Sequence, residues 1–281
     1  MATHAKCLGG GPRQGPSGPS PTGVVWAGPN EKNYFFVFYY FKRCTVLIIL
    51  VCRSSQFNPF GHYSLLITNK LIVMALVLYS GNQVLEGLAQ KKRTELIGDH
   101  TIELTQSFES DGVAGFVWDA AVVLSKYLSL NSRIVADQKV LELGAGTGLV
   151  GICCHKLGAK QVISTDHSDV IHVTEENFKL NNIDGGCVSP LNWGGDVRKF
   201  KSMDFDVIIG ADVIYIQDTF SDLLKTLNEL STEKTALYLS CKIRYDRDTS
   251  FLNLLRESFS VLKIDQEIDH TIDIFICKKI N

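Results

Sequence analysis

The sequence has no C-x-x-C pair and no H-x-x-x-H pair, although its 281 residues include eight cysteines and seven histidines. A zinc site draws its ligands from spacings of that kind, so no metal is expected. Cys153 and Cys154 are adjacent on a predicted helix and point in different directions. Reduced thiols in a cytoplasmic protein are the expected state. A surplus of one charge is also missing, since the formal net charge is −2. With no basic field to draw it to phosphate backbones, no nucleic-acid partner is expected. No internal repeat is visible. Apolar residues make up 45% of the chain, enough for one large domain or one domain with an appendage.

An uninterrupted membrane-spanning run is lacking too. Residues 33–52 come nearest, but Lys42 and Arg43 fall near the middle of "YFFVFYYFKRCTVLIILVC". Each costs about 2.5–3.5 kcal/mol at a bilayer centre, against about 0.3–0.6 kcal/mol gained per large apolar residue. Membrane contact through this stretch is not expected. A secretory signal would begin with basic residues and a nearby apolar run. Here a Gly/Pro/Ser-rich tract, residues 8–30, comes first and is expected to be disordered.

What the chain does have is "VLELGAGTGLVG", residues 140–151. Glycine after a strand lets the backbone turn tightly and a ligand approach closely. The dinucleotide fingerprint G-x-G-x-x-G does not fit, because Gly144, Gly146 and Gly148 alternate and Leu149 stands where that pattern wants glycine. Glu142 would also repel a pyrophosphate. A carboxylate beside such a turn suits a ligand with an ammonium or sulfonium group, and S-adenosylmethionine carries both. An ordinary strand-to-helix turn is the plain alternative.

Ordered patterning starts near Thr101. "HTIELTQSF" alternates like a half-buried strand, and "GFVWDAAVVLSKYLSL" repeats apolar residues at helical spacing. From "KVLEL" onward strands and helices alternate: "KQVISTD", "GCVSPLNW", "FDVIIGAD" and "TALYLSCKI" read as strands with helices between them. "SVLKID" and "TIDIFICKKI" close the chain as a hairpin. The pattern predicts an α/β fold with a mostly parallel sheet. Ligands bind such sheets beyond the carboxyl ends of the strands. The glycine turn, Asp166 and Asp212 all belong at that edge. Asp166 suits ribose hydroxyls, or it caps the next helix in competition with Ser168. Trp193, followed by two glycines in "LNWGG", can stack on adenine or simply pack. Tyr215 follows Asp212 by three residues, facing the centre of the cleft.

Together "VLELGAGTGLVG", the acid in "STDHSD", "LNWGG", "GADVIY" and "CKIRYDRD" resemble the seven-β-strand S-adenosylmethionine-dependent methyltransferases. More narrowly they resemble the methyltransferase-like protein-lysine methyltransferases, marked by D-x-x-Y after the fourth strand and V-W-D before the glycine turn. The likeness is nearest to the branch that methylates seventy-kilodalton heat-shock chaperones. It implies a Rossmann-like seven-stranded fold with a C-terminal antiparallel hairpin, and S-adenosylmethionine as cofactor. It also implies that Trp118, Gly144, Ala145 and Gly146 contact the cofactor, with Glu142 and Gly148 in the same motif. By the same likeness Asp166 holds the ribose, Trp193 lies on the adenine side and Ala211 lines the pocket. Asp212 and Tyr215 stand near the transferred methyl as the catalytic pair, and Arg244 and Tyr245 help form the substrate side.

The resemblance spans roughly residue 110 to the end. "MALVLYSG" from Met74 resembles the family's opening residues. The expected division is a disordered or non-native extension over 1–73, an N-terminal segment over 74–110 and the methyltransferase domain over 111–281. A membrane anchor is the rival reading of the extension. Rival functions are a small-molecule methyltransferase, a cofactor-bound module that docks on a chaperone, and, more distantly, a dehydrogenase. The amino-methyltransferases of adenine and glutamine carry N-P-P-Y after the fourth strand, and Asp212-Val213-Ile214-Tyr215 has no proline.

Overall fold

The computed structural model describes residues 35–41, 44–50, 90–183 and 187–280. The chain divides into two compact units, residues 1–79 and 80–281. In the first, β1 (Phe35–Phe41) and β2 (Cys44–Leu50) pair antiparallel, with Phe41 opposite Cys44. They occupy the apolar stretch singled out above. Among the described residues no helix is long and apolar enough to cross a membrane. The tract at 8–30 and the expected boundary at residue 73 lie outside the described residues.

Among the described residues of the second unit, a hairpin of β3 (Lys92–Ile97) and β4 (His100–Thr105) comes first. Gly98, at φ +56°, takes the left-handed position that so short a hairpin turn needs. Only β4 was expected. β3 carries Lys92, Arg93 and Glu95 on a largely exposed ribbon, so its apolar alternation is too weak to show. Ile97, Ile102 and Leu104 are fully buried. After a one-turn helix, α1 (Phe108–Asp111), comes α2 (Asp119–Leu130).

The central sheet has seven strands in the order β7-β6-β5-β8-β9-β11-β10. In chain order the segments are β5 (Lys139–Leu143), α3 (Leu149–Lys156), β6 (Gln161–Asp166), α4 (Ile171–Leu180), β7 (Val188–Pro190) and the short α5 (Arg198–Lys201). They continue with β8 (Val207–Ala211), α6 (Phe220–Leu230), β9 (Ala236–Cys241), α7 (Asp246–Leu255), β10 (Phe259–Ile264) and β11 (Asp273–Lys279). The first five run parallel, and β11 inserts antiparallel between β9 and β10. The expected α/β architecture with a C-terminal hairpin is what the chain forms.

Both faces of the sheet are covered, so the central strands are mostly apolar. Leu141, Ile208, Leu237 and Leu239 share one core with Leu223 and Leu227 of α6 and Phe251 of α7. Val140, Val162, Val207 and Ile209 face the other way, with Leu124 and Leu128 of α2 and Val150 of α3. Each such side chain contributes about 1.5–3 kcal/mol on burial. β5 lies between β6 and β8, and the chain leaves it in opposite directions on either side. That reversal opens a crevice at the carboxyl ends of the strands.

Candidate active site

The glycine turn forms one wall of the crevice. Gly144 and Gly146 take φ of +65° and +53°, a region that costs other residues about 1–2 kcal/mol. Space demands glycine as well. A Cβ on Gly144 would stand 2.8 Å from Val213 Cγ1 and 3.3 Å from Trp193 Cζ2, and one on Gly146 would meet the Ala114 carbonyl at 3.2 Å. The turn is held from outside. Ala145 N donates to Thr165 O at 3.0 Å, and Thr174 Oγ1 donates to Gly146 O at 2.8 Å. Asn177, fully buried on α4, gives Nδ2 to Thr147 O and to Thr105 O, while its Oδ1 accepts from Thr105 N.

Asp166 ends β6 beside this turn. Its Oδ2 accepts from Gly146 N and its Oδ1 from His167 N, both at 2.7 Å. Burial raises its carboxyl above the ordinary range, and the two backbone donors oppose that rise. Neither Asp166 nor Ser168 caps α4, whose N-cap is Val170 with no side-chain bond. The capping alternative therefore falls away. Trp118 precedes α2, gives Nε1 to Val113 O at 2.9 Å and meets Phe116 edge-on at 5.0 Å. It thereby braces the turn that brings Ala114 over Gly146. Trp193 lies against Gly144, and the next residue is fixed by Gly194 N donating to Thr226 Oγ1.

Asp212 follows Ala211 at the end of β8 and forms the opposite wall. Its φ is +53°, and its N–H donates to Ser240 O at 2.7 Å. The Asp212 carboxylate receives Arg244 through two parallel bonds, Nη1 to Oδ1 and Nη2 to Oδ2, each 3.1 Å. Both side chains are largely enclosed, at 11% and 21% exposure. Burial works against the Arg244 charge, but Asp212 outweighs it and holds the guanidinium above its usual range. Burial, with the Asp166 and Asp212 charges behind it, pushes the Tyr215 hydroxyl up to about 12. Tyr215 thus keeps its proton at neutral pH. Tyr245 is exposed, and its backbone with that of Arg244 donates to Asp248 Oδ2 at the start of α7.

Two motif residues sit elsewhere than expected. Glu142 is only 3% exposed and turns beneath the loop, where Ser164 Oγ donates to its Oε2. Glu142 pairs in register with Ser164, so both side chains fall on the face that α3 covers. Its carboxylate does not reach out to a ligand's ammonium; burial pushes it up to about 8. Gly148 is the N-cap of α3, where a Cβ would press on Thr174 Cγ2 and Phe178. Glycine there lets α3 pack closely on α4. Gly151 was not singled out from the sequence, yet a Cβ there would collide with Ser164 and Glu142. Asn177 and Thr174 were also missed, although a polar residue on the inward stripe of "IHVTEENFKL" was a readable signal.

The crevice brings together Gly144, Ala145, Gly146, Asp166, Trp193, Ala211, Asp212 and Tyr215 at one sheet edge. A depression of about 650 Å³ lined by Asp204, Thr232, Lys234 and Lys279 lies at the amino ends of β8 and β9, away from these residues. The residues of the crevice fit S-adenosylmethionine. The glycine turn brings backbone rather than side chains to the crevice, and the Asp166 carboxylate at the strand end favours ribose hydroxyls over a pyrophosphate.

The family described as lysine methyltransferase matches residues 97–258. Protein N-lysine methyltransferase METTL21A of Mus musculus is 40% identical over 214 residues, covering 74% of this chain and 98% of that protein. EEF1A lysine methyltransferase 3 of Xenopus tropicalis is 35% identical over 179 residues, covering 62% of this chain and 79% of that protein. Among solved structures, the T. thermophilus 16S rRNA N2 G1207 methyltransferase, in complex with AdoMet and guanosine, is similar at 17% identity and TM-score 0.50. That match covers 67% of this chain and 50% of the other. This last likeness concerns the fold, which is that of S-adenosylmethionine-dependent methyltransferases. Its match to the family over most of the catalytic unit, and its 40% identity to a protein N-lysine methyltransferase, establish that this chain belongs to the lysine methyltransferase family.

Proposed function

We propose that this chain methylates a lysine of a seventy-kilodalton heat-shock chaperone in the cytoplasm, with Asp212 and Tyr215 at the reacting centre. The observation that carries the site reading is the convergence of the glycine turn, Asp166, Asp212 and Tyr215 on one crevice. The choice of substrate rests on the motifs "LNWGG", "GADVIY" and "CKIRYDRD", which resemble the branch acting on those chaperones. Gly144, Ala145 and Gly146 would hold the methionine end of the cofactor, and Asp166 the ribose through the lone pairs its backbone donors leave free. Trp193 would lie on the adenine side, with Ala211 and Trp118 completing the walls. Glu142 and Gly148 act on the loop from below.

When bound, S-adenosylmethionine supplies a sulfonium methyl that a neutral amine can accept. Free lysine has a pKa of about 10.4, so the protein's task is to receive the amine without its extra proton. An enclosed, partly dry approach disfavours the ammonium. The Asp212 carboxylate can accept an N–H of the amine and aim its lone pair, while Tyr215 offers a protonated hydroxyl and an aromatic face. Alignment alone is worth effective molarities of about 10⁵ M or more.

The test offers purified seventy-kilodalton chaperone and purified EEF1A, side by side, to the full chain with radiolabelled cofactor. Label on the chaperone lysine supports the proposal. Label on EEF1A alone, the substrate that one relative's name carries, replaces it.

A further inference from the structure

The Asp212–Arg244 pair poses a problem that its geometry also answers. An unpaired carboxylate beside the acceptor would stabilise the lysine as an ammonium, raising its pKa by about one to three pH units. Each unit leaves tenfold less of the neutral amine that reacts. We propose that Arg244 is a positioning residue that cancels the charge of Asp212, so that the crevice receives a neutral amine rather than an ammonium ion. The proposal rests on the reading that Asp212 faces the transferred methyl.

The geometry suits this role. The guanidinium takes one lone pair from each Asp212 oxygen at 3.1 Å, and a carboxylate has about four such sites, so an amine N–H can still be accepted. Both partners are held by their backbones. Asp212 N–H is fixed to Ser240 O, and Arg244 N–H to the buried Asp248 carboxylate at 2.8 Å. Arg244 Nη1 also reaches the Lys242 carbonyl at 3.4 Å. The surrounding groups leave the balance intact. Asp248 is engaged by the N–H groups of Arg244 and Tyr245 and lies 3.5 Å from Arg247 Nε. Asp273 pairs with Lys263 at 2.7 Å. Burial keeps Cys241 and Tyr215 protonated, and Asp166 is bound to the glycine turn. Thirty-two residues separate the partners, and only the adjacency of β8 and β9 brings them together.

The experiment compares the full chain with its Arg244→Gln and Arg244→Lys variants by two readouts. The first is the pH profile of kcat on the purified chaperone. In Arg244→Gln the acid limb should move up by about one pH unit or more, with a loss of about tenfold near neutrality that recovers in alkali. Arg244→Lys should keep the limb in place. The second is NMR titration of n-butylammonium at neutral pH into protein holding S-adenosylhomocysteine. Arg244→Gln should gain a salt-sensitive affinity that the natural chain lacks. A pH-independent loss in Arg244→Gln, an unchanged butylammonium affinity, or a shifted limb in Arg244→Lys would each overturn the proposal. Should Arg244→Gln not fold, the limb in Arg244→Lys decides alone. A natural chain inert toward the chaperone defeats the substrate reading, and the amine titration still judges Arg244.

Discussion

The two walls of the crevice are built on different physical principles. The glycine wall, at the ends of β5 and β6, is shaped by absent side chains and held by hydrogen bonds from Thr174 and Asn177, with Asp166 accepting from Gly146 N. The Asp212 wall, between β8 and β9, is shaped by charge, with Arg244 clamped to Asp212 and anchored in turn on Asp248. A donor of fixed shape can be recognised by space and backbone. An acceptor whose protonation decides its reactivity needs an electrostatic setting. This division predicts that damage to one wall should leave the other largely working.

The largest effect should come from the charged wall. Asp212→Ala should lower turnover by at least about 100-fold, the scale of a misaligned reactant, while calorimetry still detects cofactor binding. Full turnover in that variant would remove Asp212 from the chemistry and break the comparison.

The glycine wall should fail through stability instead. Asn177→Ala leaves Thr105 N–H and the carbonyls of Thr105 and Thr147 without their partner inside the protein. It should cost about 2–4 kcal/mol in urea unfolding. A loss well under 1 kcal/mol would mean the loop does not depend on this foundation.

An effect on pH dependence rather than on turnover sharpens the contrast beneath the loop. The Glu142 carboxyl is raised by burial from 4.5 to about 8 in the folded chain. The folded state therefore keeps a proton that the unfolded state loses between those values, and stability falls as pH rises through that window. Glu142→Gln cannot ionise and should flatten this dependence. The Tm of the natural chain should fall between about pH 5 and pH 9, and that of the variant should fall less. Equal slopes would show that Glu142 is not the titrating group.

Most of the catalytic unit was legible because its signals are local. A strand buried on both faces reads as an apolar run, as in "FDVIIGAD", and a glycine turn after a strand reads directly. β3 was not legible, since a charged, half-exposed ribbon pairs through backbone groups that side chains do not reveal. Glu142 was misjudged for a related reason. Its type suggested a ligand, but the pleat of β5 turns it onto the face shared with Val140, under α3.

The sequence by itself determined the order of strands and helices, the glycine turn and the acids at the strand ends, because periodicity and backbone freedom are properties of neighbouring residues. Tertiary structure alone decided that Arg244 would close on Asp212, that Asn177 would bind the glycine loop to the β3–β4 hairpin, and that Glu142 would serve from below. Those pairings join residues 22 to 72 positions apart, and only strand order and pleat bring such groups within hydrogen-bond reach.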